Sequence, residues 1–176
     1  DELAQIQVSH VTVTVNAIDL AVAEKIYAWV RHGKRVLHPR EGVKLLLEKQ
    51  LDAITRLKEK GIVVKVNSII IPGINDAHIP EVARKMGEMH VDILNCVPYY
   101  PNKGSTFENI PEPSKEIIAR IRKEAAKFVP QMHHCTRCRA DAVGLLGEEM
   151  PQELLKSLKT CESMPETQTL KINASR

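Results

Sequence analysis

Residues 133–144 read HHCTRCRADAVG: two histidines, then cysteines at positions 135 and 138, with Arg137 and Arg139 beside them. A lone C-x-x-C serves three chemistries: a redox dithiol, half of a zinc site, or two ligands of an iron–sulfur cluster. A thioredoxin-type dithiol opens a helix directly after a strand, whereas this pair follows a helical pattern and a short connector. A zinc ribbon needs a second C-x-x-C, which the sequence lacks, although His133, His134 or Cys161 could complete a zinc set. His133, His134, Arg137 and Arg139 would offset the negative charge of thiolates or of a cluster and lower the thiol pKa values. The spacing favours a metal over redox or structural thiols and leaves the metal's identity open. Cys96, in an apolar strand pattern, reads as a small buried hydrophobe, and Cys161 beside Glu162 reads as inert.

A second polar group lies near three predicted strand ends: Asn16, then Asn67 and Ser68 followed by Ile71-Pro72-Gly73, then Asn95. Ligands of parallel α/β proteins gather at the carboxyl ends of the strands. Any one asparagine is an ordinary turn-former there. Three together, with a Pro-Gly that brings backbone amides near a ligand, point to a site. Neither G-x-G-x-x-G nor G-x-x-x-x-G-K-[ST] occurs, so nucleotide-phosphate cradles of those kinds are not expected. The basic segment RHGKRVLHPR at 31–40 reads as a solvated loop, with an anionic-ligand or partner patch as its alternative. Trp29 is expected in the core and His10 in a structural or surface role.

These residues need a scaffold. VSHVTVTV (8–15) alternates with period two and predicts a strand. Asp19 caps a helix over DLAVAEKIYAWV. From Glu41 to Lys60, Val43, Leu47, Leu51, Ile54 and Leu57 share one helical face, and Gly61 supplies the C-cap. The near-continuous apolar run 62–71 predicts a parallel strand covered by helices on both faces. Asn75-Asp76 opens a helix to about His90, and VDILNCV (91–97) is a third strand. Ser114 caps a helix to about Val129, a short helix follows near 151–160, and the polar tail from Pro165 is expected to be disordered.

The order β-α-β-α-β-α implies parallel strands in right-handed units. Three strands do not close a barrel. The run 62–71, the abrupt first strand and the missing initiator Met favour the back half of a larger sheet over a small open one. The chain's 176 residues are 43% apolar with a net charge of +3, which argues for a globular domain and gives no case for nucleic acid. No apolar segment is long enough to cross a membrane, the N-terminus lacks signal-peptide character, and the cysteine pattern is not that of a secreted framework. The expectation is a cytoplasmic protein.

VTVTVNAID (11–19), IYAWVR (26–31), GIVVKVNSIIIPGIND (61–76) and HHCTRCRADAVGLLGE (133–148) together resemble the NifB family of nitrogenase cofactor biosynthesis, over residues 8–148. The resemblance implies an α/β fold that is part of a radical S-adenosylmethionine (radical SAM) partial (β/α) TIM-type barrel with parallel strands. Of this the chain supplies the C-terminal β/α units, with residues 1–148 in the core domain and 149–176 a short helix and tail. The implied reaction fuses two [4Fe–4S] clusters, with sulfur and a carbide from S-adenosylmethionine, into an [8Fe–9S–C] precursor. Implied partners are the iron–sulfur substrates with their carriers and cofactor assembly proteins, with no nucleic acid and no membrane. By motif match Cys135 and Cys138 would ligate a substrate cluster. Asn16, Asn67, Ser68, Ile71, Pro72 and Gly73 would wall the S-adenosylmethionine pocket. The sequence departs from the family in lacking C-x-x-x-C-x-x-C, a Gly-Gly-Glu-Pro-like segment and the upstream His and Cys cluster ligands, all of which would precede residue 1. The expectation is that this chain alone is inactive. The alternatives are a small zinc- or thiol-dependent α/β binding domain using the C-x-x-C, and a structural module with idle cysteines.

Overall fold

A computed structural model describes residues 2–132 of the chain. The chain divides into units 1–138 and 139–176. Cys135, Cys138, their flanking histidines and arginines, the helix expected at 151–160 and the polar tail lie outside the described residues.

The elements, in chain order, are α1 (Glu2–Gln5), β1 (His10–Thr14), α2 (Leu20–Ile26), β2 (Val30–His32), β3 (Arg35–Leu37), α3 (Pro39–Glu59), β4 (Val63–Ile70), α4 (Ile79–Glu88), β5 (Ile93–Pro98) and α5 (Lys115–Ala125). The fold is α/β with a parallel three-stranded sheet in the order β1-β4-β5. Residues 130–132 extend the sheet beyond β5: the Leu94 amide donates to Pro130 O at 2.9 Å, and the Met132 amide to Leu94 O at 3.0 Å. No helix of the described residues is long and apolar enough to cross a membrane.

The caps follow the chemistry of the capping residues. Asp19 accepts from the Val22 amide at 3.0 Å and starts α2; Ser114 accepts from the Ile117 amide at 3.3 Å and starts α5. On the apolar face of α3, Val43 and Ile54 are fully buried, and Leu47, Leu51 and Leu57 are partly buried. Ile54 joins Val82 and Met86 of α4 and Ile121 of α5 against Val66 and Leu94 of the sheet.

Three sequence expectations are corrected. The helix expected over 19–30 ends at Ile26, and the segment read as a basic loop contains the antiparallel hairpin β2–β3. Val30 and Val36 are β-branched, and Gly33 takes a positive φ of +59° in the turn between the strands. As a result Trp29, expected in the core, is 60% exposed. The apolar run 62–71 is not uniformly buried. Val64, Val66, Ser68 and Ile70 are fully buried toward the helices, while Val63, Lys65, Asn67 and Ile69 are half-buried on the opposite face. Finally, α4 begins at Ile79 rather than at Asn75, with Pro80 in its first turn, where a missing N–H costs nothing.

One ion pair ties α3 to the sheet. Lys58 Nζ and the Val64 amide both donate to Asp92 Oδ2 at 2.7 Å. Burial pushes the Asp92 carboxyl up, but hydrogen bonds from Lys58 and Val64 and the Lys58 charge outweigh it, so the pKa lies below the ordinary 3.8. A carboxyl depressed on folding stabilises above its unfolded pKa, and that stability disappears as the pH falls through the folded value. Asp92→Asn is therefore expected to lose about 0.5–1 kcal/mol at neutral pH, because the pair is partly exposed and screened. The difference should shrink as the pH falls below the ordinary 3.8 and through the folded value, as read by urea midpoints across the pH range.

Candidate functional site

Because the strands are parallel, every connection from a strand to the next helix leaves the same end of the sheet. The C-terminal ends of β1, β4 and β5 thus bring together Asn16, the loop 71–78 and the segment 99–113. In register, Thr14, Asn67 and Asn95 lie side by side across the three strands, on the face away from the helices.

The centre of this end is Asn75, which is fully buried. Its Oδ1 accepts from the Ile71 amide at 2.7 Å, and its Nδ2 donates to Asn16 O and Ile69 O, both at 2.8 Å. Asn16 completes the clamp: its Oδ1 accepts from the Ile69 amide at 2.9 Å and its Nδ2 donates to the Tyr27 hydroxyl at 3.1 Å. Burial pushes the Tyr27 phenol up, against the opposing hydrogen bonds of Asn16 and Gln50. The Ser68 hydroxyl donates to Val15 O at 2.5 Å. The Ile18 and Asp19 amides donate to His78 Nε2 at 3.2 and 3.4 Å, joining the loop after β1 to the loop after β4.

The structure therefore brings all seven strand-end residues named above to one end but gives them different tasks. Asn16 and Ser68 use their side chains to fix neighbouring backbone. Ile71 is buried, and its amide is held by Asn75. Gly73 is exposed at φ +73°, a conformation suited to glycine, and its amide donates to Asp76 Oδ1 at 3.0 Å. Asn67 is half-buried, and its Oδ1 accepts from Asn95 Nδ2 at 3.2 Å. Asn95 is 1% exposed and its Oδ1 has no partner. Exchanging the O and N of both amides preserves their mutual bond, so in either arrangement one end of Asn95 lacks a partner.

Sequence reasoning missed Asn75, Tyr27 and His78 as parts of this end. Asn75 did carry a signal. It lies four residues after Ile71, across a Pro-Gly turn, where a short amide side chain reaches back to the backbone.

Cys96 sits in β5 at 1% exposure. Burial pushes its thiol up to about 12, against the nearby Arg122 charge, whose guanidinium donates to Cys96 O at 2.8 and 3.2 Å. A thiol so protonated is a packing group rather than a metal ligand. Among the described residues no three His, Cys, Asp or Glu side chains gather as a metal site. A cleft of about 330 Å³ opens between α2 and Ser105–Phe107, with Glu24 Oε1 and Ser105 Oγ buried there without partners.

No protein-family model matches the chain. Over 165 residues it is 52% identical to the FeMo cofactor biosynthesis protein NifB of Chlorobaculum tepidum, covering 94% of this chain and 39% of that protein. It is 40% identical over 169 residues to NifB of Klebsiella pneumoniae, covering 94% of this chain and 36% of that one. With NifB of Methanocaldococcus infernus the identity is 40% over 155 residues, covering 88% and 49%. The chain thus spans less than half the length of these curated relatives. A domain of a pyruvate-formate lyase-activating enzyme from Bacteroides vulgatus shares the fold, with a TM-score of 0.52 and 16% identity over 75% of this chain and 71% of that one. The match to the relatives extends the resemblance seen in four motifs to an alignment over 88–94% of the chain, and the chain is a homologue of a segment of the FeMo cofactor biosynthesis proteins NifB.

Proposed function

We propose that this chain forms part of a NifB-type radical SAM enzyme of the cytoplasm, walling an S-adenosylmethionine site with its strand ends and ligating a substrate cluster through Cys135 and Cys138. The observation that carries this reading is the 52% identity across 94% of the chain. The strand ends fit such a ligand in kind. Asn67 and Asn95 offer amide groups with unfilled hydrogen-bonding capacity beside a backbone fixed by Asn75 and Asn16. S-adenosylmethionine, when bound, supplies a methyl group and one-electron carbon chemistry for assembling an [8Fe–9S–C] precursor from two [4Fe–4S] units. The Asn75–Asn16 clamp holds the loop rigid, so that orientation is set before a ligand arrives. The Cys135 and Cys138 thiolates bind one cluster, with Arg137 and Arg139 offsetting its charge. Carrier and assembly proteins exchange cargo with the site.

The sequence holds no C-x-x-x-C-x-x-C, so the 176-residue chain by itself should not cleave S-adenosylmethionine after anaerobic reconstitution with iron and sulfide. In a longer NifB protein carrying this segment, replacing Cys135 and Cys138 with alanine should remove one [4Fe–4S] cluster's iron and its charge-transfer absorption. Robust cleavage by the chain alone, or unchanged iron in the double variant, would overturn the proposal. Stoichiometric zinc without charge-transfer absorption would place the cysteines in a zinc site instead.

A further inference from the structure

The hairpin β2–β3 has two unlike faces. In its register Val30 pairs with Leu37 and Arg31 with Val36. Val30 and Leu37 turn toward α3, so close to Gly42 that a Cβ there would meet theirs at 2.9 and 3.1 Å. Alternation sends Arg31 and Val36 to the other face, and Trp29 and His38 directly flank the two strands, next to the inward-turned Val30 and Leu37. Trp29 is 60% and Val36 63% exposed, and Arg31 and His38 are exposed as well. An aromatic and a β-branched side chain in water, flanked by cations, form a surface that globular proteins seldom leave uncovered without use.

The surrounding charge is one-sided. Residues 31–41 contain Arg31, Lys34, Arg35 and Arg40 against the single acid Glu41. Glu41 meets Arg35 only at 3.9 Å, with both side chains mostly exposed. The place matters too. Since α3 follows the hairpin directly and ends just before the start of β4, the hairpin stands toward the C-terminal end of the sheet.

We propose that the Trp29–Arg31–Val36–His38 face is a docking surface for an acidic protein partner that presents an apolar residue among its carboxylates. A polynucleotide suits it less. The chain's net charge of only +3 gives no extended track for phosphates, and Trp29 alone gives a strand one stacking platform where successive bases need several. A partner seated here lies toward the same end of the sheet as the strand-end site. Its part in cargo transfer rests on the function proposed above, whereas the docking itself does not.

Trp29 is the only tryptophan of the chain, so its emission reports on this face alone. The probe is a Trp-free peptide with a Leu-Phe pair inside a run of Glu and Asp, titrated into the chain without iron or S-adenosylmethionine. A saturable blue shift is expected, about tenfold weaker in Val36→Ser and in Lys34→Glu, Arg35→Glu. Raising salt from about 50 mM to about 500 mM should weaken it by a similar factor. Calorimetry on Trp29→Ala should show the same loss. Unfolding is not a concern for these exposed positions, and circular dichroism confirms it. Binding indifferent to Val36→Ser, equal binding of a Gln/Asn version of the peptide, or tighter binding of single-stranded DNA or anionic vesicles would each overturn the proposal. So would a self-association abolished by Trp29→Ala, which would make a second copy the occupant, or protection of Trp29 from oxidation in a longer NifB protein carrying this segment, which would make the rest of that polypeptide the occupant.

Discussion

Replacing Asn75 with alanine should lower stability by about 3–5 kcal/mol, well beyond the usual effect of one polar substitution. The reason is what its amide leaves behind. The Ile71 amide loses its acceptor, and the carbonyls of Asn16 and Ile69 lose a donor, in a place where Asn75 is fully buried. A buried backbone group without a partner costs about 1–3 kcal/mol, and here three are affected. Aspartate at this position keeps an acceptor for Ile71 but points a carboxylate at two carbonyls, so Asn75→Asp should be no rescue at neutral pH. Urea titration at an unchanged m-value provides the measurement. A loss below about 1 kcal/mol would mean that water replaces the amide, and that the loop 71–78 is wetter than the geometry implies. The same substitution should blunt any ligand binding at the strand ends, because Asn75 positions Ile69–Gly73 without reaching beyond them.

That position also shows how far a sequence can be read. Repeating patterns were legible: the α3 face from Val43 to Leu57, the caps at Asp19 and Ser114, and the three strands with their parallel order all appear in the structure. What escaped depended on a single residue winning against its neighbours. The string AEKIYAWV continues a helical pattern by composition. Yet Tyr27 goes extended at the C-cap, its hydroxyl held by Asn16, and the chain turns into a hairpin that exposes Trp29. The apolar run 62–71 suggested cover on both faces, because Val and Ile occur on each. The polar Lys65 and Asn67 on the half-buried face were the contrary signal. Asn75 was read as a helix start because the local preference of Asn for caps is stronger in sequence than its three long-range bonds. Of the strand-end candidates, position was legible for all and task for none, since whether an asparagine serves a ligand or the backbone depends on which groups the fold places within about 3 Å. Cys135 and Cys138 came from spacing and from family resemblance.

The other large effect is expected at Gly87, where two ordinary rules oppose each other. Gly87 lies inside α4, where alanine is favoured over glycine by about 1 kcal/mol. On that ground Gly87→Ala should stabilise. A Cβ there, however, would sit 2.7 Å from the Phe128 carbonyl oxygen and 3.3 Å from its carbon. Both atoms are backbone, so no rotamer change relieves the overlap. Overpacking of this kind costs about 1–3 kcal/mol and is expected to win, because α4 and the turn after α5 must separate. The consequence travels along the chain. Phe128 and Val129 lead directly into Pro130 and Met132, whose backbone pairs with Leu94 at the edge of β5. Pushing Phe128 outward strains those two bonds, in the segment that runs on to Cys135. In Gly87→Ala, hydrogen exchange at the Leu94 and Met132 amides should therefore rise much more than at Val66, in the middle of the sheet. If the variant is instead about 1 kcal/mol more stable, with both amides still protected, the turn has room to move and helix propensity decides the outcome.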